Sequence, residues 1–293
     1  MQKKKTAYLY LIITTCAWGS LYVVGKFVLG KVPPFTVLFF RYLVAGIALF
    51  PVLKARKRVK IERADYKYIF LMGFLGYFLS IGAQLMGTKL SNASLASLIN
   101  SMNPVFIILF AVFILKEKLT FQKVIAVIAT IVGTYIILGG GSETHQWLGI
   151  VISFISVITW SLMSVLVRKI TQKYDSLMIT AYGMLIAMVL TLPVAGCEMF
   201  LTPHVQLFNR DVILSLLYMG LVCTALSHFL WNTSLSMIEA GTCSLFYPLQ
   251  PMVSVLLGGV FLSERLNSKF VIGAVLIVGG VLVGLIGKRS KEG

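Results

Sequence analysis

The sequence predicts an all-α integral membrane protein, ten transmembrane helices arranged as two inverted repeats of five. Three observations lead there. Of 293 residues, 58% are hydrophobic and only 12% charged, with a mean hydropathy of +0.91, far more apolar than a soluble domain of this size. Ten apolar segments reach the roughly 20 residues that cross about 30 Å of hydrocarbon. One twenty-residue stretch is written twice.

The ten segments run approximately over 7–28, 34–53, 68–88, 94–115, 121–139, 147–167, 176–199, 212–235, 241–262 and 269–287, joined by connections too short for a soluble domain. Lys3 to Lys5 before the first run resemble a signal peptide. That run nevertheless extends to about Val28, carries Trp18 and Tyr22, and has a counterpart at Trp160, so it is expected to stay as the first helix. The net charge of +16 would suit nucleic acid on a folded basic face, but these residues sit in short loops and report orientation instead. With the N-terminus in the cytoplasm, 19 of the 26 basic residues fall inside: Lys3, Lys4, Lys5, the cluster from Lys54 to Lys67, Lys116, Lys118, Lys123, Arg168, Lys169, Lys173, Lys288, Arg289 and Lys291. Both termini are therefore expected in the cytoplasm. The cysteines Cys16, Cys197, Cys223 and Cys243 lack metal-ligand spacing and read as small buried hydrophobes.

The repeated stretch is Asn100 to Leu119, NSMNPVFIILFAVFILKEKL, echoed from Tyr247 to Leu266 as YPLQPMVSVLLGGVFLSERL. An amide (Asn103, Gln250) precedes a proline (Pro104, Pro251), and an apolar run leads to a glutamate (Glu117, Glu264), a base (Lys118, Arg265) and a leucine. Each pair is 147 residues apart, as are Gly73 with Gly220 and Gly133 with Gly280, while Trp18 with Trp160 and Pro51 with Pro193 are 142 apart. The chain divides into repeats at 1–140 and 147–287. Five spans is an odd number, so the second repeat enters the bilayer upside down. Inverted repeats place a binding site near the midplane, between parts that rock to open alternately.

The polar residues in the spans nominate that site. On the third helix Gly73, Tyr77, Ser80 and Gln84 share a face, matched on the eighth by Gly220, Thr224, Ser227 and Trp231. Thr14, Trp18 and Tyr22 on the first are matched by Ser156, Trp160 and Ser164 on the sixth. Such stripes line a cavity or pack helices through small and hydroxyl groups. Pro104 and Pro251 fall near the middle of the fourth and ninth spans, where each withholds an N–H from the carbonyls of Asn100 and Tyr247. Those carbonyls, with Asn103 and Gln250, are candidate ligands, and the prolines candidate hinges.

Arg41 is the only charge well inside a span, at an insertion cost of roughly 3 kcal/mol or more, and no core carboxylate balances it. It reads as an anchor for an anionic substrate group or as a cap on backbone carbonyls. His228, one turn from Asn232, is the sole midspan group that titrates near neutrality, open to proton coupling or to a hydrogen-bonded structural role. Glu117 and Glu264 precede Thr120 and Asn267, which look like the N-caps of the next helices, and read as turn anchors. Gly280 and Gly284 form a GxxxG pair suited to close helix contact or to a homodimer.

AWGSLYVVGK in the first helix, FRYLVAG around Arg41, and the paired motifs from Asn103-Pro104 to Leu119 and from Gln250-Pro251 to Leu266 resemble the EamA-type exporters of the drug/metabolite transporter superfamily. The resemblance spans essentially the whole chain and implies a ten-helix inverted-repeat fold in the inner membrane, moving amino acids, other metabolites or drugs. The predicted function is a secondary transporter exporting small amphiphilic metabolites, with aromatic side chains met by Trp18, Tyr22, Trp160, Trp231 and Tyr247, and a carboxylate met by Arg41. The partners expected are a small solute and the bilayer, with no nucleic acid, no cofactor and no metal. An intramembrane enzyme would need a positioned nucleophile and base or a metal cluster, which His228 without an acidic partner does not supply. A channel would conduct without saturation or counterflow.

Overall fold

In a computed structural model the protein is described over residues 2–55, 60–90, 96, 99–100, 102–138, 147–202, 204–262 and 268–286. Their regular structure is entirely helical, with no strand among them. The helices are α1 (Gln2–Leu29), α2 (Pro34–Lys54), α3 (Arg63–Leu90), α4 (Asn103–Leu115), α5 (Phe121–Leu138), α6 (Trp147–Ile170), α7 (Ser176–Leu201), α8 (Arg210–Met237), α9 (Leu249–Leu262) and α10 (Ser268–Ile286). A five-residue helix, Ala240–Ser244, leads into α9. Among the described residues α1, α2, α3, α6, α7 and α8 are long and apolar enough to cross a membrane by themselves, and the chain is a multi-pass membrane protein. Glu264, Arg265, Leu266 and Asn267, and the basic residues Lys288, Arg289 and Lys291, lie outside the described residues.

Local chemistry sets the ends. Pro34 opens α2, where its missing N–H has no intrahelical partner to lose. Asp175 accepts the N–H groups of Leu177 and Met178 at the start of α7, and Asn209 that of Asp211 at the start of α8. α4 ends on Lys116 in the left-handed conformation (φ 57°). Thr120 accepts the N–H of Lys123 and caps α5 as its sequence position predicts.

The two prolines sit elsewhere than expected. Pro104 and Pro251 lie in the first turn of α4 and α9, not in a helix interior, because residues 245–248 form turns ahead of α9 and Met102 marks the start of α4. Their predicted carbonyl ligands are engaged as well. The Asn103 side-chain amide donates to the Asn100 carbonyl at 2.7 Å, and the Gln250 N–H donates to the Tyr247 carbonyl at 2.9 Å. A second departure is a widened turn that period counting does not reveal: Met72–Ser80 within α3 and Met219–Leu226 within α8 are π-helical, a geometry that concentrates at functional sites.

α1 packs on α8 and α9, and α6 on α3 and α4. α2 meets α7, and α5 meets α10; α2 also touches the π segment of α8, as α7 touches that of α3. The seam between α5 and α10 uses the glycine pair within the chain. A Cβ on Gly280 would stand 2.8 Å from the Ala129 side chain, and one on Gly284 3.0 Å from that of Ala126. Ser234 on α8 donates to the carbonyl of Ala7, and Arg168 on α6 to those of Leu235 and Ser236, so the start of α1 and the ends of α6 and α8 share one face. We call it the N-terminal face.

Candidate functional site

Arg41 is the centre of the site. It is 1% exposed, and a guanidinium so placed needs compensation. Gly220, one turn before Thr224, makes room: a Cβ there would lie 2.5 Å from Val44 and 3.3 Å from the Arg41 carbonyl. α8 therefore approaches α2 closely enough for Arg41 Nε to donate to Thr224 Oγ1 at 3.0 Å. The π turn orients that hydroxyl by offering it the Met219 carbonyl, five residues back, at 2.7 Å. Arg41 Nη1 has no hydrogen-bond partner among the described residues.

A chamber opens beside this group, lined by Trp18, Leu21, Arg41, Ser80, Ile81, Gln84, Asn100, Asn103, Ser156, Trp160, His228, Tyr247 and Gln250. Its free volume is about 40 Å³, room for roughly three waters. No carboxylate is among the lining residues, so Arg41 is the fixed charge of the chamber. Rings close one side. Trp18 lies 5.6 Å from Trp160, 5.5 Å from Trp231, 5.9 Å from Tyr247 and 5.3 Å from His228, centroid to centroid, within the range of favourable aromatic pairs. Trp18 Nε1 donates to the Cys223 carbonyl at 3.0 Å, and Trp160 Nε1 to the Tyr247 hydroxyl.

Four predicted residues stand behind the wall. Tyr22 is buried, its hydroxyl accepting from Gln84 at 3.0 Å. Tyr77 is buried and accepts from the Asn232 amide at 2.8 Å. Ser164 and Trp231 are fully buried, with Ser164 Oγ and Trp231 Nε1 unpartnered among the described residues. His228 does line the chamber. Its Nδ1 faces the Thr224 carbonyl at 2.8 Å, an acceptor that requires the proton on Nδ1. Leu21 and Ile81 were missed, although Leu21 follows Trp18 by three residues and Ile81 follows Tyr77 by four. Thr224, nominated only as a stripe residue, turns out to hold Arg41.

The sequence also understated Glu117. Its carboxylate, at the end of α4, accepts the N–H groups of Ala240 and Gly241 at 2.8 and 3.1 Å and lies 3.7 Å from Lys123. Lys123 reaches on to Glu239 at 3.1 Å. This ties the end of α4 to the short helix leading into Tyr247 and Gln250. A second ionic cluster on the N-terminal face joins Lys173 to Glu62 and Asp65 at 2.6 and 2.7 Å. It holds the Lys173 ammonium above its ordinary range, through Asp65 first and Glu62 second. Among the described residues, no group of three His, Cys, Asp or Glu could hold a metal.

The model of the EamA-like transporter family matches this chain twice, over residues 5–139 and 147–286. The chain belongs to the EamA-like transporter family. It is 28% identical over 294 residues to an uncharacterized transporter of Clostridium kluyveri, covering 95% of this chain and 93% of that one. It is 25% identical to the uncharacterized transporter YetK of Bacillus subtilis, covering all of this chain and 90% of the other. A solved crystal structure superposes with a TM-score of 0.82 over 99% of both chains at 22% identity, a likeness of fold. The EamA-like chain described here is thus a membrane transporter whose solute is a small molecule.

Proposed function

We propose that this EamA-like protein exports small amphiphilic metabolites, amino acids among them, by alternating access through the Arg41 chamber. The observation that carries the reading is Arg41 Nη1, a buried cationic donor without a partner among the described residues, beside a wall of rings. A carboxylate would complete the guanidinium through charge-assisted bonds, while the apolar part of the same molecule would meet Trp18, Trp160 and Tyr247. The chamber as it stands has room for only roughly three waters, so a larger solute requires the helices to part. With no carboxylate in the lining and His228 held to a carbonyl, facilitated diffusion is the energetic scheme we favour.

The scheme takes the ten helices as two inverted repeats, 1–140 and 147–287. The double family match and the reciprocal packing of α1 on α8 and of α6 on α3 support it. The basic loops support an N-terminal face in the cytoplasm, both termini inside, and residence in the inner membrane. Pro104 and Pro251, each opening a helix that carries a chamber amide, are the hinge candidates.

Counterflow in proteoliposomes tests the proposal. Vesicles loaded with an unlabelled amino acid should accumulate the labelled one transiently and saturably, and competition should favour the carboxylate over its amide. Passage of ions without saturation, or equal handling of acid and amide, overturns the reading.

A further inference from the structure

A crevice of about 510 Å³ opens on the N-terminal face between the start of α3 and α7, away from the Arg41 chamber. Its walls are Ile61, Ile69, Leu185 and Ile186, with Tyr66, Tyr182 and Lys60 completing the lining. Leu185 is nine residues into α7, so the walls reach roughly 14 Å down the helix axis. The size is that of a ligand site, not of a packing defect.

The charge at the mouth is one-sided. Lys60 lines it and is exposed, and Arg63 and Lys67, exposed too, follow on the same short segment between the lining residues Ile61 and Ile69. Glu62 and Asp65 are paired with Lys173, and Asp65 also feels Lys67, so the bases of this segment outnumber the charge its two acids can offset. The same bonds, with Tyr174 receiving the Glu62 N–H at 3.1 Å, pin the 61–65 segment over the crevice. An apolar slot within the span, under a rim with an excess of positive charge, matches one occupant: a phospholipid with its acyl chain inside and an anionic headgroup outside.

We propose that the crevice between α3 and α7 binds an anionic phospholipid, its phosphate held by Lys60 with Arg63 and Lys67. This requires a bilayer and rests on nothing in the transport reading. The full chain in nanodiscs of equal phosphatidylglycerol and phosphatidylcholine, released gently and weighed by native mass spectrometry, reports which lipid stays. Phosphatidylglycerol should be retained over phosphatidylcholine by about five-fold for each basic residue engaged, from roughly 1 kcal/mol per residue at an anionic surface. K60Q/R63Q/K67Q should lose that preference, whereas K31Q should keep it. L185W should empty the crevice of both lipids. Equal retention of the two lipids, or a preference untouched by the triple substitution, overturns the proposal. Glycerol 3-phosphate alone should not displace the lipid, and displacement by it would mark a soluble-anion site instead.

Discussion

Gly73 on α3 lies where a Cβ would stand 2.7 Å from Ile186 and 2.9 Å from the carbonyl of Gly183; 147 residues on, Gly220 lies where one would stand 2.5 Å from Val44 and 3.3 Å from the carbonyl of Arg41. The partners correspond as well, at an offset of 142. Gly133 faces the Gly273 carbonyl as Gly280 faces that of Ala126, and the π segments begin at Met72 and Met219. Ser80 donates to the Ser156 carbonyl, and Thr14 to that of Ser227. The chamber keeps this evenness only in part, through Trp18 with Trp160 and Asn103 with Gln250. Arg41 stands where the other half of the chain has Gly183, and Gln84 where it has Trp231. Trp18 donates to a backbone carbonyl, while Trp160 donates to a tyrosine hydroxyl. Packing fixes the backbone of both halves alike, and side chains alone make the site one-sided.

The largest expected effect tests the even part. Gly73→Val and Gly220→Val each force a branched side chain onto a neighbouring helix that has no slack. Each should cost about 1–3 kcal/mol or more, seen as a lowered melting temperature and reduced monodisperse yield in detergent. Comparable losses would strengthen the correspondence. A tolerated Gly220→Val beside a disabled Gly73→Val would break it.

Next comes the uneven part. Arg41→Gln should weaken competition by a carboxylate solute about ten-fold or more, since hydrogen bonds to charged groups contribute roughly 1.5–3 kcal/mol. Its amide analogue should be nearly unaffected, as counterflow inhibition would read. Equal losses for acid and amide would return Arg41 to a structural role.

The sequence made the even part legible, because spacing survives in a chain whose packing glycines and prolines must recur at fixed intervals. Composition and run length located most helices to within about five residues, but α4 and α9 begin nine and eight residues later than the predicted spans. The prolines misled because a span that halts and restarts, as at 245–248, reads as continuous when only hydropathy is counted. The π segments escaped because their signature is a backbone carbonyl shifted one residue along, which no side chain records. Arg41 could be singled out as a lone charge, but its partner could not, since Thr224 becomes a partner only through the close approach at Gly220. Glu117 looked like a turn anchor because its acceptors, the N–H groups of Ala240 and Gly241, lie far away in sequence.

A smaller effect is expected at that carboxylate. Glu117→Gln keeps the shape and removes the charge that two N–H groups and Lys123 share. It should loosen the N-terminal face by a few-fold in the labelling rate of a cysteine introduced at Ser244, which is fully buried now, while leaving the melting temperature within a few degrees. An unchanged labelling rate would mean that the rings around Trp18 close the chamber by themselves.

The smallest effect distinguishes the two faces. Lys173 is held by Glu62 and Asp65, whereas Lys31, 142 residues earlier, lies over the Phe27 ring at 3.8 Å. The 147-residue offset puts Asn209 and Val212 in the places of the two acids, so an ionic clamp of this composition belongs to one face. Because the folded state raises the Lys173 pKa, its contribution is fully present below the ordinary lysine value of 10.5 and is lost as pH rises through the higher folded value. The melting-temperature difference between the parent and Lys173→Gln should therefore stay constant from pH 6 to 9 and shrink only in strong alkali. The matching Lys31→Gln should show no such profile. A difference that changed between pH 6 and 8 would assign the clamp to a group other than Lys173.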